Sequence, residues 1–141
     1  MANYQYGEIF DRLGIPGMGH QGATWCALNP EGVLVLMAHQ NYFHRRTGKW
    51  QYEMPPDEPA TPRGPSAKRS LDMIGTYFAG GHKKIILPVA VFVTDGELGP
   101  DGTWSPSVFD YATGDFYEGS MTKFERDTGY LLCEIEARRS V

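Results

Sequence analysis

Apolar residues occur in short blocks separated by turn-forming residues, a pattern typical of a strand-rich domain. Residues 33–38 and 84–94 are almost entirely apolar, so we predict that both are buried strands and that the second is central. Residues 23–28 are predicted to pair with 33–38 as a hairpin, because the turn at 29–32 has Pro and Gly at favoured positions. Pro88 lies inside the central strand, where we expect an edge position or a bulge.

Two helices are predicted, one before and one after this hairpin. Apolar residues spaced three and four apart predict a short helix over residues 4–13. Ser66 can cap a second helix that runs to Ala79 and ends at Gly80-Gly81. Residues 54–65 contain five prolines and are predicted to form a loop or lid.

Further strands are predicted at 49–53, 108–111, 116–124 and 130–136. Tight turns are predicted at Thr47-Gly48 and 125–129, and residues 95–104 are predicted to form a turn region without a fixed period. The elements together predict an α+β fold of six to seven mostly antiparallel strands in a twisted or barrel-like sheet with two helices. A chain of 141 residues has room for a single domain and too few residues for two cores.

The composition is that of an ordinary globular protein, with a formal net charge of −4. An acidic chain is unsuited to coating nucleic acid non-specifically, although a local basic site is compatible with it. Cys26 and Cys133 lie in apolar stretches and are predicted to be buried free thiols. The N-terminal residues do not resemble a signal peptide, and the apolar run 85–93 is too short to span a bilayer. We therefore expect a cytoplasmic protein without a membrane segment.

The segment 39–52, which reads HQNYFHRRTGKWQY, has the most distinctive composition of the chain. It interleaves the rings Tyr42, Phe43, Trp50 and Tyr52 with the cations Arg45, Arg46 and Lys49. Aromatic faces beside guanidinium groups suit a planar, electron-rich ligand that carries negative charge, such as a nucleotide base with its phosphates. No catalytic motif of similar quality occurs elsewhere, so the pattern favours a binding module over an enzyme.

The order of these elements resembles that of the PUA superfamily, specifically the SRA-like domains that read modified bases. The likeness begins in the first half of the chain, with Trp25 to Leu28 and the turn 29–32, the strand 33–38 running into His39-Gln40-Asn41, and the residues 48–50. It continues with the second helix, which starts with the basic pair Lys68-Arg69, and with the strand 85–95 and the closing hairpin 124–131. The resemblance covers most of the chain but is one of pattern and order, and none of these motifs is diagnostic alone.

The resemblance implies that a base leaves the duplex and stacks between rings in a pocket, where its edge is hydrogen-bonded. Carried over to this chain, the base pocket comprises Trp25, His39, Gln40, Asn41 and Tyr42, with Trp50 or Tyr52 as the stacking ring. The positions expected to contact phosphate are Arg45, Arg46, Lys49, Lys68 and Arg69. The expected partner is nucleic acid, with DNA preferred over RNA as the interpretation, and no cofactor is expected. Cleavage would require a separate nuclease or effector subunit.

This chain departs from the likeness at the strand end. Gln40 and Asn41 stand where a carboxylate would accept a hydrogen bond from the amino group of cytosine. An amide both donates and accepts, so the departure bears on modified-cytosine recognition more than on base recognition in general.

Three alternatives remain open at this point. A metal-dependent nuclease or other hydrolase would use Asp95 and Glu97, with Lys83 or Lys84, although the usual spacing of acid and lysine is absent and a solvated acidic turn is the stronger interpretation of these residues. His39 and His44 as metal ligands, or His20 as a general base, compete with ordinary histidine roles. A protein-interaction subunit would use the proline-rich residues 54–65.

Overall fold

The computed structural model describes residues 4, 6–15, 26–56, 65–92, 97–98, 104–105 and 109–141. Their elements are, in chain order, α1 (Tyr6–Arg12), β1 (Cys26–Leu28), β2 (Leu34–Leu36), β3 (Ala38–His39), the 3₁₀ helix η1 (Gln40–Tyr42), β4 (Phe43–Arg46), β5 (Lys49–Met54), α2 (Pro65–Ala79), β6 (Lys84–Phe92), β7 (Glu97–Leu98), β8 (Trp104–Ser105), β9 (Phe109–Glu125) and β10 (Tyr130–Ser140).

Eight strands form one mixed sheet. Its order is β1-β2-β6-β9-β10-β5-β4, with β3 also paired to β6, while β7 and β8 form a separate ribbon. Strands β2 and β3 run parallel to β6, and all other described pairs are antiparallel. Parallel neighbours need a long crossover, which here runs through β4, β5 and α2. The predicted α+β class is confirmed, but the sheet is mixed and the strands are more numerous than the six or seven predicted.

The sheet curls until its two edges approach each other. Strand β3 lies beside β6 and β4 lies at the far end beside β5, yet only the three residues of η1 join β3 to β4. No closed ring of strands forms, because the order begins at β1 and ends at β4. The result is an open, curled sheet in which β3 and β4 do not pair.

The main core fills the inside of the curl, and we call the face of the sheet that contributes to it the inner face. Helix α2 covers this core with Leu71, Ile74 and Tyr77. Fully buried side chains from six strands complete it: Cys26, Leu34, Leu36, Tyr52, Ile85, Leu87, Met121, Leu131 and Cys133. Helix α1 packs on the opposite, outer face, where Ile9, Phe10 and Ile15 meet Val35, Met37 and Ala90.

The predicted first hairpin and the predicted end of α2 are confirmed, whereas the predicted N-cap of α2 is wrong. Cys26 pairs with Leu36 across the first hairpin, whose turn is held by the Asn29 side chain accepting the backbone N–H of Val33 at 2.9 Å. Helix α2 starts at Pro65, so Ser66 lies inside the helix; proline suits this position because a first-turn residue does not need its N–H. It ends where Gly81 adopts φ 87° and donates to the Phe78 carbonyl at 3.0 Å.

Three details of the strand prediction are wrong. The two strands predicted at 108–111 and 116–124 are, from residue 109 onward, one continuous strand, β9, and the region 95–104 contributes to β7 and β8. Strand β10 extends four residues past 136, to Ser140. For Pro88 the second of the two expected accommodations is confirmed: β6 is central, as predicted, and a register shift between Pro88 and Ala90 accommodates the missing N–H.

Both thiols are buried and neither forms a disulfide, as predicted. Burial raises the pKa of Cys26 to about 12 and raises the pKa of Cys133 further, because a thiolate loses its hydration inside the core. The Cys26 thiol donates to the Ser70 carbonyl on α2 at 3.7 Å. None of the helices in the described ranges is long and apolar enough to cross a membrane.

Gly119 tests how closely β9 and β10 pack. A Cβ at this position would lie against the carbonyl oxygen of Glu134 on β10, well inside van der Waals contact. We expect Gly119→Ala to lower the free energy of unfolding by about 1–3 kcal/mol, the usual cost of overpacking. Gly75→Ala in α2 is the control, because its Cβ meets only ordinary contacts at 3.4 Å. The control should be neutral or stabilise by up to about 1 kcal/mol in urea titrations. Equal losses in both variants would contradict this packing.

The raised thiol pKa values predict a loss of stability at alkaline pH. The folded state holds the thiol protons more tightly than the unfolded state does. The contribution of the protonated thiols to the free energy of unfolding is therefore full below pH 9 and falls as the pH rises toward 12. We expect Tm to decrease from pH 9 to 11, with each thiol adding up to about 1.4 kcal/mol per pH unit. In the double variant Cys26→Ala, Cys133→Ala the same decrease should be shallower. Parallel Tm curves for both proteins would refute the assignment to the thiols.

Candidate functional site

The distinctive segment 39–52 folds into η1 and the β4–β5 hairpin. Thr47 and Gly48, at φ 48° and 78°, make the tight turn at the hairpin tip. Phe43 pairs with Tyr52, and Arg45 pairs with Trp50. Because side chains alternate along a strand, these four belong to the inner face, while the side chains in between point to the outer face. The two neighbouring arginines of β4 are therefore on opposite sides of the sheet.

Trp50 and Arg45 form an exposed stacked pair at the hairpin tip. The Arg45 guanidinium carbon lies 5.2 Å from the centroid of the Trp50 ring. The Trp50 residue is 45% exposed, which is high for a large ring. Arg45 makes no ion pair with any residue that the structure describes. A cation and an aromatic face are thus both available to a ligand here.

An open cleft of about 540 Å³ lies beside this pair. The hairpin contributes residues 48–50, β9 contributes Tyr117, and β10 contributes residues 134–138. Arg138 reaches over the Tyr117 ring at 5.9 Å, and Tyr117 also contacts Phe43 with ring centroids 4.8 Å apart. Two aromatic rings, Trp50 and Tyr117, therefore line the cleft together with Arg138. Arg45 is not a lining residue and adjoins the cleft through its contact with the Trp50 ring.

The position of Arg138 depends on a bulge in β10. The pairing with β9 shifts register between Ile135 and Ala137, so that Arg138 lies opposite Tyr117 and Arg139 opposite Phe116. An extra residue in one strand reverses the alternation beyond it. The bulge therefore determines which of the two arginines faces the cleft.

Most other cations around the cleft already have acidic partners. Lys49 Nζ lies 3.7 Å from Glu134 Oε1, and Arg138 Nη2 lies 2.8 Å from Asp115 Oδ2. Arg139, on the outer face, pairs with Glu118 at 2.7 Å. The walls of the cleft are consequently close to charge balance, and Arg45 is the cation next to the cleft that has no acidic partner among the described residues.

A carboxylate on the outer face binds three neighbours and links β4, β5 and β10. Glu53 Oε1 lies 3.0 Å from His44 Nε2 and 3.1 Å from Arg46 Nη2, and Tyr130 donates its hydroxyl to the other oxygen. The hydrogen bond from Tyr130, with smaller contributions from His44 and Arg46, holds the pKa of Glu53 below its usual value although partial burial opposes this shift. The same bond raises the pKa of Tyr130. Arg46 is thereby held away from the cleft.

Tyr52 lies in the core behind the cleft. It is only 1% exposed, and its ring packs against Phe43 at 4.8 Å and Tyr42 at 6.1 Å between centroids. Its hydroxyl accepts the backbone N–H of His39 at 3.3 Å. The ring therefore supports the site and has no open face for a ligand.

The 3₁₀ helix η1 places the remaining predicted pocket residues at the gap between β3 and β4. His39 caps it, with Nδ1 accepting the backbone N–H of Asn41 at 3.1 Å. Gln40 and Asn41 are exposed, and Tyr42 is half-buried beside His39 at 4.8 Å. None of these four lines the cleft.

The other predicted residues are distributed as follows. Lys68 and Arg69 lie in the first turns of α2, which contributes no residue to the cleft. Trp25, His20, Asp95 and residues 57–64 fall outside the described ranges, as do the side chains of Glu97 and Trp104. Among the described residues no group of three His, Cys, Asp or Glu side chains could hold a metal ion.

Sequence analysis did not identify the second wall of the cleft, formed by Tyr117 and residues 134–138. These residues are about seventy positions or more from Trp50 in the chain and reach it only because β10 pairs with both β5 and β9. The doublet Arg138-Arg139 in a polar strand was the one local signal. The predicted strand ended at residue 136, which left the doublet outside it.

Searches with family models, against curated proteins and against solved structures found no match to this chain.

Tyr52→Phe tests the connection across the gap between the sheet edges. The change keeps the ring and removes the buried hydroxyl that accepts the N–H of His39, so we expect a loss of about 1–2 kcal/mol in the free energy of unfolding. Tyr117→Phe is the control, because the structure gives that hydroxyl no hydrogen bond to a described residue. The control should change stability by less than about 0.5 kcal/mol. A neutral Tyr52→Phe in denaturant titrations would show that the bond contributes nothing.

Proposed function

We propose that this domain is a nucleic-acid-binding module that holds a base in the cleft between the hairpin tip and the end of β10. The observation that carries the proposal is the exposed Trp50 ring beside Arg45, a cation that pairs with no described acid. Stacking of one base on an exposed ring contributes about 1–3 kcal/mol, and it requires only an accessible aromatic face.

Each residue of the pair has a separate role in this proposal. Trp50 provides the stacking surface, and Tyr117 is the second ring that the base can contact. Arg45 supplies the positive charge for the adjoining phosphate. Arg46 and Lys49, which the sequence also assigned to phosphate, are held by Glu53 and Glu134. We therefore assign them no primary contact.

The likeness to SRA-like base readers remains part of the proposal. In such domains a base stacks between rings, and Trp50 and Tyr117 are the two rings that line this cleft. Carboxylates, which Gln40 and Asn41 do not supply, occur in the cleft lining at Glu134 and Glu136. Glu134 pairs with Lys49, and one oxygen of Glu136 accepts the Ser120 hydroxyl at 2.7 Å. A carboxylate oxygen accepts more than one hydrogen bond, so an exocyclic amino group of a base is a suitable further donor.

The neighbouring residues Arg45 and Arg46 give a matched test, because they differ in the face of β4 that they occupy. We expect Arg45→Ala and Trp50→Ala each to weaken binding of labelled oligonucleotides about tenfold or more in fluorescence anisotropy at low salt. Arg46→Ala removes the same charge on the outer face and should change the affinity less than about twofold. The panel should include single strands and duplexes, with plain and modified cytosine.

Two outcomes contradict the proposal. If the folded wild-type protein retains no oligonucleotide at low salt, it is not a nucleic-acid-binding module. If Arg46→Ala weakens binding as much as Arg45→Ala, the site is not in this cleft. Circular dichroism and Tm of each variant establish that the comparison is made between folded proteins.

A further inference from the structure

The cations around the cleft are unequally available to a ligand. Lys49 and Arg138 belong to ion pairs with Glu134 and Asp115, whereas Arg45 stacks on the Trp50 ring and pairs with no acid among the described residues. A phosphate that binds a paired cation must compete with a carboxylate already in place, and so gains less than it would from a free cation. The described part of the site therefore offers one strong phosphate contact.

The acids of the cleft oppose a second phosphate. Glu134 and Glu136 both contribute to its lining. Duplex DNA carries about one negative charge per 1.7 Å of helix axis, so a bound duplex would bring several phosphates close to these carboxylates. The repulsion between like charges disfavours that arrangement more than it disfavours a single nucleotide.

Free cations elsewhere do not extend the site into a track for a nucleic-acid backbone. Lys83 and Lys84 have no ion pair among the described residues, but they line a different groove, beside Tyr77 and the turn after α2. Lys68 lies near the start of α2, about 20 Å along the helix axis from the turn that follows the helix. None of the three lines the cleft.

The volume of the cleft, like the charges around it, suits a ligand the size of one nucleotide. Its volume of about 540 Å³ falls within the range of ordinary small-molecule sites, roughly 300–1,000 Å³. A base, its sugar and one phosphate make a ligand of that class. A duplex, in contrast, would have to rest on the rim.

We infer that the cleft recognises one nucleotide unit, with its base on Trp50 and a single phosphate at Arg45. The unit is a free nucleotide or an unpaired residue of a single strand, and not a nucleotide within a duplex. This inference rests on the proposed function and specifies its ligand. Both sources present the same chemistry, an accessible base face next to one phosphate.

Affinity as a function of salt tests the inference directly. The ligands are adenosine, adenosine monophosphate, a mixed-sequence single strand and the corresponding duplex, each titrated from 20 to 200 mM salt. We expect the monophosphate to bind about fivefold or more tightly than the nucleoside, and Arg45→Ala to abolish that difference. The single strand should give a slope of log K against log salt of about −0.7, the value for one neutralised phosphate. The duplex should bind more weakly than the strand.

Glu134→Gln provides a second measurement that loss of folding cannot imitate. The change frees Lys49 and removes a negative charge from the cleft, so the single strand should bind more tightly, with a slope steeper by about 0.7. Glu125→Gln is the matched control: it frees Lys123 from an exposed pair at 3.2 Å that does not line the cleft. The control should leave the slope unchanged.

The outcomes separate this inference from the proposed function. A duplex that binds more tightly than the strand, with a slope steeper than about −3 that Arg45→Ala reduces, overturns the single-nucleotide inference and leaves a nucleic-acid site in the cleft. Equal effects of Glu134→Gln and Glu125→Gln also overturn it, because charge would then act over the whole surface. Absence of binding to all four ligands overturns the proposed function itself.

Discussion

A hydrogen bond connects the two edges of the curled sheet: the Tyr52 hydroxyl on β5 accepts the backbone N–H of His39 at the end of β3. The strands on either side of the gap make no ladder with each other, so this contact and the three residues of η1 hold the edges together from the side of the backbone, while the core packs between them. Phe43 packs on Tyr52 and on Tyr117, which carries the same geometry into the cleft. A buried phenol in the core thus sets the separation of the rings that a ligand would meet.

Strand alternation sorts the charges of the hairpin. Arg45 and Arg46 are adjacent in the chain, yet Arg45 stacks on Trp50 on the inner face while Arg46 pairs with Glu53 on the outer face. An acidic protein can in this way keep a single accessible cation beside an aromatic face, since its remaining cations are largely compensated by carboxylates. Local charge, rather than net charge, is the relevant quantity for such a site.

Local features of the chain were predictable and long-range pairings were not. The first hairpin, the end of α2 at Gly80-Gly81 and the tight turn at Thr47-Gly48 follow from short-range turn and cap chemistry. Trp50 was recognisable as a candidate because its neighbours are cationic. The burial of Tyr52 and the arrival of Tyr117 beside Trp50 depend on β10 lying between β5 and β9, and no residue pattern within either strand specifies that neighbour.

The bulge in β10 has a corollary for how the cleft can vary. One extra residue, Glu136, lies between the pairs Ile135 with Gly119 and Ala137 with Glu118, so its excision would leave Arg138 opposite Tyr117 and would remove only the irregularity. If Glu136 instead entered the ladder, Ala137 would lie opposite Tyr117 and Arg138 would turn to the far side of the sheet. The guanidinium above that ring is thus retained by keeping one residue out of the pairing, without any substitution among the side chains that a ligand contacts.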